Sequence, residues 1–329
     1  MDDSSDRPTG GARPKTTLPA TLAGYVWQAS GRHQIALALL SVLVFLLSAA
    51  PLEFQRRIVN EAIHDGIFAP IAWLAAGYAA VALAEGGLKL AMNVYRSWIS
   101  ESTVRHLRQT VCNLPPVADG RAAAYDGVEL SMILSEVEPI GGFVGVSTSE
   151  PLLQGGILVS VFGYMVYLQP EIAMVSLLVF SPQLLFVPLL QKAINRRVRG
   201  RISVMRDVSG SLITHPVGEA AALQARRIQQ VFQLNMGVFR LKFTMNFLMN
   251  LMHHIGVAAI LAVGGWYAAT GRIEIGTVVA FVSGLTKVND PWGDIVNWFR
   301  DLNVNAVKYK LVADAIEQLE AASETTPVP

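Results

Sequence analysis

Residues 151–191 read PLLQGGILVSVFGYMVYLQPEIAMVSLLVFSPQLLFVPLLQ, forty-one residues in which Glu171 is the single charge. About twenty predominantly apolar residues cross a bilayer as a helix, so this stretch is long enough for two spans laid end to end. The division falls at Gln169-Pro170-Glu171, because a proline ends a helix at the residue before it and a carboxylate marks the return to water. Two spans joined by so short a turn run antiparallel. The fold is therefore that of a helical, multi-pass membrane protein.

The same reading extends in both directions. Uncharged runs of span length lie at 34–52 and 66–84, and a fifth apolar stretch, from about 243 to 270, is interrupted only by His253 and His254. A sixth, 276–297, contains Lys287, Asp290 and Asp294 and is the weakest by hydropathy, although 276–286 is plainly apolar. An even number of spans lets both tails share one side. Composition agrees: 52% hydrophobic residues and a mean hydropathy of +0.40 are too apolar for a soluble domain, while 16% charged residues are too many for a chain lying wholly in lipid. A net charge of +1 gives no basis for a nucleic-acid partner, and a single cysteine, Cys112, excludes an intrachain disulfide and does not suggest a metal site.

The connections alternate in length, short at roughly 53–65, 169–171 and 271–275, long at roughly 93–142 and 192–242. The long ones hold fourteen Lys and Arg and the tails seven, against only Arg56, Arg57 and Arg272 in the short ones. The excess of basic residues on the cytoplasmic side puts the long connections and both termini in the cytoplasm of a cell (inner) membrane protein, with Arg56 and Arg57 as an awkward pair. Residues 1–20, rich in Pro, Gly, Ser and charge and lacking a signal-peptide apolar core, are expected as a disordered cytoplasmic tail. Residues 21–318 form the six-helix domain, and 319–329 are a second disordered cytoplasmic tail. Each long connection, folded back as two helices of about 25 residues, projects about 35–40 Å. Pro and Gly place the tips at 114–127 and 215–218.

Two local stretches carry a resemblance. One is Gly127-x-Glu129-Leu130-Ser131-Met132-Ile133-Leu134-Ser135-Glu136-Val137-Glu138-Pro139-Ile140. The other is Gly264-Gly265-Trp266-Tyr267 followed by Gly271-Arg272-Ile273-x-Ile275-Gly276-Thr277-Val278-Val279-Ala280-Phe281. With the six-span, two-hairpin layout they resemble the membrane domain of the ABC exporter family over nearly all of residues 25–318. The resemblance implies an all-α, six-helix exporter-type transmembrane domain working by alternating access as a dimer with a second copy or a related permease subunit. It implies an ABC ATPase subunit in trans that binds ATP and Mg and docks on the hairpin tips at Asp119, Arg121, Tyr125, Asp126, Gly127, Val217, Gly218, Glu219 and Leu223. Two departures fall at those tips: Pro116, Val117 and Ala118 stand where the family carries aromatic residues, and 217–224 keeps little of its consensus. The sequence contains no Gly-x-x-x-x-Gly-Lys-Ser/Thr phosphate loop, so the chain is expected to be a permease without catalytic residues or cofactor of its own, embedded among membrane lipids.

An ionisable group inside the hydrocarbon is costly and usually faces a cavity or a partner. Lys287, Asp290, Asp294, Asn297, Asp301, Asn305 and Lys308 recur every three or four residues, on one helical face. As far as Asp294 the stripe reads as a pathway wall, with mutual neutralisation of Lys287 and Asp290 as the alternative. From Asn297 onward it reads as a solvated or partner-facing surface. Glu85 and Lys89 form an i,i+4 pair that is structural or part of the pathway. Glu150 caps, pairs or binds substrate. Of His253 and His254 at most one faces the pathway, and packing is the alternative. Gly141, Gly142, Gly145, Gly155 and Gly156 permit close helix approach. Outside the ATP-driven reading stand a proton-driven transporter of exporter-like fold and a non-transporting membrane scaffold.

Overall fold

The computed structural model describes residues 18–64, 67–112, 135–214 and 221–325, and every element among them is helical. In chain order these are α1 (Leu22–Ser48), α2 (Ala50–His64), α3 (Phe68–Cys112), α4 (135–146), α5 (Ser149–Leu168), α6 (Pro170–Thr214), α7 (Ala221–Ala269) and α8 (Ile275–Thr325). Five stretches are long and apolar enough to cross a membrane: Leu22–Ile63, Phe68–Cys112, Ser149–Leu168, Pro170–Met205 and Gln224–Ala269. The sixth expected span forms a helix, α8, but is not among these five.

Two expectations about the connections change. The short connection at 53–65 is helical as far as His64, because α1 and α2 are separated by Ala49 alone and Pro51 suits the first turn of the new helix. The long connections do not begin as separate helices either. α3 has 45 residues, α6 has 45 and α7 has 49, so each is about 70 Å long at 1.5 Å per residue, roughly twice the hydrocarbon thickness. Residues 93–112 contain no proline or glycine to interrupt α3. α8 runs to Thr325, through the first residues of the stretch 319–329.

The chain divides into two compact units, Met1–Ile35 with Tyr95–Ser147 and Asp301–Pro329, and Ala36–Val94 with Thr148–Arg300. The first packs Tyr25, Ile99, Leu107, Ile140, Val144, Tyr309 and Ile316 into its core. Gly141 and Gly145 of α4 lie directly on α3, at Val104 and at the Arg96 carbonyl, whereas Gly142 faces open space. The buried Gln34 amide donates to Val144 O at 2.8 Å, and the Tyr309 hydroxyl to Pro19 O at 2.7 Å. Lys308 pairs with Glu136 at 2.7 Å, so this end of the polar stripe faces α4.

In the second unit α6 and α7 pair along their length. Glu171 meets Tyr267, Ile172 meets Gly264, Val179 meets Gly256, and Arg201 donates to Asn235 at 3.2 Å. The paired numbers keep a nearly constant sum, the signature of an antiparallel hairpin in unbroken register. Leu285 and Val278 of α8 sit against Gly256 and Gly264, and Gly284 lies on Val161 and Met165 of α5. Gly156 is filled by Phe45, while Gly155 opens onto nothing. At the end carrying the short connections, Glu53 accepts from Arg56 at 2.9 Å, Arg57 at 2.5 Å and Tyr164 at 2.6 Å. Arg56 also reaches Glu274 at 3.0 Å. The two arginines that sat awkwardly with the charge asymmetry are thus matched by two carboxylates.

Candidate functional site

α8 brings its polar residues to three settings within the second unit. In the first, Lys287 Nζ donates to Ser48 O at 2.7 Å and lies 3.6 Å from Glu85, whose other oxygen accepts from Lys89 at 2.7 Å. The bend after α1 makes that carbonyl available: Leu52 N–H donates to Ala49 O, at 3.1 Å, one residue short of the helical partner that would occupy Ser48 O. Glu85 is 8% exposed, while the Lys89 and Lys287 side chains retain 42% and 32% of their exposure. Lys287 therefore turns to Glu85, and the alternative of a Lys287–Asp290 pair gives way; Asp290 is exposed.

In the second setting, Gln154 of α5 spreads one amide group between two carboxylates, donating to Glu150 at 2.8 Å and to Asp294 at 3.1 Å. Lys287 and Asp294 are seven residues apart, two turns or about 10.5 Å along α8. One helical face thus carries a cluster with one surplus positive charge and, two turns on, a cluster with two negative ones. Asn297, one turn further, is exposed.

The third setting is a seam. His253 of α7 lines a cavity of ≈ 10 Å³ with Val179, Phe180, Gln183, Met252, Leu285 and Asn289, room for about one water and far too small for a transported solute. His254, its ring centroid 5.5 Å away, is exposed. A larger cavity, ≈ 420 Å³, lies in the first unit among Tyr25, His33, Trp98 and His106, and none of the sequence-predicted pathway residues lines it.

Of the eight predicted pathway residues, Glu85, Lys89 and Lys287 therefore come together, Glu150 and Asp294 share Gln154, Asp290 lies within electrostatic range of Asp294 and of His253, and Asn297 is exposed. Sequence reasoning missed the Ser48 carbonyl, which only the bend reveals. It also missed Gln154, an uncharged residue whose signal was its place four residues after Glu150. Of the predicted docking residues, Asp119, Arg121, Tyr125, Asp126, Gly127, Val217, Gly218 and Glu219 lie outside the described residues, and of Leu223 only the helical backbone is described.

No family model matches the chain. Two curated proteins are similar to it, each named fatty acid ABC transporter ATP-binding/permease protein, from Mycobacterium bovis and Mycobacterium tuberculosis. Each is 23% identical over 226 residues, which are 62% of this chain and 34% of the relative. The chain thus spans about a third of the length of the curated relatives it matches, and the likeness is distant.

Proposed function

We propose that this chain is the membrane-spanning permease of an ABC exporter-type transporter, moving its substrate by alternating access with ATP hydrolysed outside these 329 residues. The observation that carries the reading is the polar face of α8. Lys287 and Asp294 follow the apolar stretch 276–286 of a long helix and find their partners on α3 and α5, which suits a helix facing an interior pathway rather than lipid. The distant likeness to ATP-binding/permease proteins supports the same reading. In it α8 is the sixth span, the long helices carry the cytoplasmic tips onto which an ATPase subunit docks, a second copy or related permease completes the pathway, and both termini are cytoplasmic. Residues 119–127 and 217–224 are the docking tips. The chain contributes no covalent chemistry.

Fatty acids are the named cargo of the relatives and the first class to test. The experiment is purification of the tagged chain from its native membrane in mild detergent, identification of co-purifying ATPase, and reconstitution into vesicles. ATP-dependent movement of a labelled long-chain fatty acid, lost in Gly127→Asp and Gly218→Asp variants that retain the wild-type unfolding midpoint, is the expected result. A dimer that carries no ATPase and moves protons would overturn the proposal in favour of the proton-driven transporter.

A further inference from the structure

The transport reading leaves unused the cavity of ≈ 420 Å³ in the first unit, between the start of α1 and residues 98–106 of α3. It opens where α1 bends. Ser30 has non-helical dihedrals, φ −144° and ψ 19°, and buried polar contacts fix the bend: Ser30 Oγ donates to Val26 O at 2.9 Å and accepts from the Gln34 amide at 3.1 Å. One wall is an aromatic platform. Trp98 stacks on Tyr95 with ring centroids 6.1 Å apart and planes at 13°, His33 meets both rings edge-on, and His33 Nδ1 shares a hydrogen bond of 2.6 Å with the Tyr95 hydroxyl. Three rings that hold one another leave the indole, 52% exposed, little freedom to lose when something packs on it. The cavity is also lined by Tyr25, 3% exposed, whose hydroxyl has no hydrogen-bond partner among the described residues. A buried hydroxyl in that position is costly unless a bond is supplied to it.

The lining selects a class of ligand. Among the described residues around the cavity none is Asp, Glu, Lys or Arg, and Arg32 lines a neighbouring groove instead. An ion entering would give up its hydration with no permanent opposite charge to replace it. The polar groups are of the kind that both donate and accept: the Tyr25 and Ser102 hydroxyls, the Gln28 amide, and the His33 and His106 rings. Thr103, whose hydroxyl donates to Ile99 O at 2.8 Å, offers its oxygen as a further acceptor. A ligand that only accepts, such as a ketone or quinone, leaves the acceptors of this set unmatched. Sugar hydroxyls play both roles, and a sugar ring also has an apolar C–H face that suits an indole. We propose that this cavity binds a neutral sugar ring, its C–H face on Trp98 and its hydroxyls bonded to Tyr25, Gln28, Ser102 and His106. The volume falls within the range of about 300–1,000 Å³ usual for small-molecule sites. The ring is the same whether it comes as a free sugar or as the headgroup of a membrane glycolipid. None of the predicted pathway residues lines the cavity, so the site does not rest on the transport reading.

The test is saturation-transfer nuclear magnetic resonance of methyl β-D-glucopyranoside with the full chain in phosphatidylcholine nanodiscs, without nucleotide. Saturation is expected on the ring protons of the sugar, falling to the level of empty nanodiscs in Trp98→Ala. Tyr25→Phe keeps the ring that packs on Tyr309, at 5.2 Å between centroids, and removes only the hydroxyl. It should keep the wild-type unfolding midpoint while lowering sugar affinity about threefold to tenfold, the effect of one hydrogen bond. If that variant does not fold, Ser102→Ala decides on the same criterion. Glucuronate and glucosamine, which add a charge of either sign, should bind at least about fivefold more weakly than the methyl glucoside. No saturation above empty nanodiscs, unchanged affinity in Tyr25→Phe, or tighter binding of glucuronate overturns the proposal. Glucosyl diacylglycerol added to the nanodisc separates the two sources. Suppression of the methyl glucoside signal identifies a lipid headgroup and an undiminished signal a sugar taken from water, and both uphold the sugar site.

Discussion

Replacing Glu85 with Gln removes one charge from the Lys89–Glu85–Lys287 cluster and leaves its shape nearly unchanged. Losing one member of a fully buried ion pair costs about 3–5 kcal/mol, mostly because the partner charge is stranded, whereas an exposed pair is worth about 0–1 kcal/mol. Lys89, with 42% of its side chain exposed, belongs near the second limit. Lys287, with 32% exposed and the Ser48 carbonyl still at 2.7 Å, falls between the two. The expected total is about 2–3 kcal/mol, a fall of about 3–4 °C in unfolding midpoint for a chain of this size. The assay is the thermal midpoint of the purified protein in one detergent for wild type, Glu85→Gln, Lys287→Met and the double variant. Because the double variant strands only the more exposed Lys89 and no longer Lys287, it should lose less than the sum of the singles, with a coupling of about 1–2 kcal/mol. Effects that add to within about 0.5 kcal/mol refute the pairing and, with it, the electrostatic account of how α8 is held against α3.

Three further outcomes follow from single contacts. Gly276→Ala would drive its Cβ into the Arg56 carbonyl and the Asn60 side chain and should destabilise by about 1–3 kcal/mol, whereas Gly265→Ala, with nothing within 4 Å, should stabilise by up to about 1 kcal/mol through helix propensity; thermal midpoints of the two variants should move in opposite directions. Gln154→Leu leaves Glu150 and Asp294 without their shared donor and should cost about 1–3 kcal/mol, an effect that adding Asp294→Asn reduces, as midpoints of the single and double variants will show. Burial pushes the Tyr309 hydroxyl up to about 12 from 10.0, so the unfolded chain loses this proton first as pH rises. The stability Tyr309 contributes is full below pH 10 and lost between 10 and 12, and the advantage of wild type over Tyr309→Phe should narrow across that window in unfolding measured by circular dichroism; a constant difference would show that the hydroxyl does not titrate as described.

Span positions were legible because hydrophobic length is a one-dimensional property: residues 151–191 alone decide that α5 and α6 are adjacent, and the break between them falls at Gln169, immediately before Pro170 opens α6. The continuity of α3 from Phe68 to Cys112 was less legible. A polar stretch following an apolar one looks like a loop to a hydropathy reading, while the backbone responds to the absence of helix breakers. Of the candidate site, the charged members were visible as charges but their partners were not. The pairing of Glu85 with Lys287 joins residues about two hundred positions apart, and periodicity informs only about neighbours on the same helix. Gln154 and the Ser48 carbonyl escaped for a different reason, since a neutral amide or a main-chain oxygen gives no signal until something charged is placed against it. The awkwardness of Arg56 and Arg57 came from counting basic residues without the acids opposite them: Glu274 lies over two hundred positions from Arg56 and 3.0 Å away in space.

α8 presents the hardest problem for insertion. Lys287, Asp290 and Asp294 at membrane depth would cost about 2.5–3.5 kcal/mol each on insertion scales, enough to outweigh the apolar turns between Gly276 and Thr286 if the helix entered lipid alone. The structure shows where the offset arises. Ser48 and Glu85 take Lys287, Gln154 takes Asp294, and Gly284 lets α8 settle closely onto Val161 and Met165. Each of those partners belongs to a helix that precedes α8 in the chain and is apolar enough to insert without it. The order is thus one of dependence: α1, α3 and α5 present a carbonyl, a carboxylate and an amide, and α8 settles against them. The same polar groups that make α8 a poor span by itself fix its rotation, because turning it by one residue, about 100°, would remove both clusters from their partners at once. A helix held by a few such polar contacts has a defined seat rather than a continuum of positions.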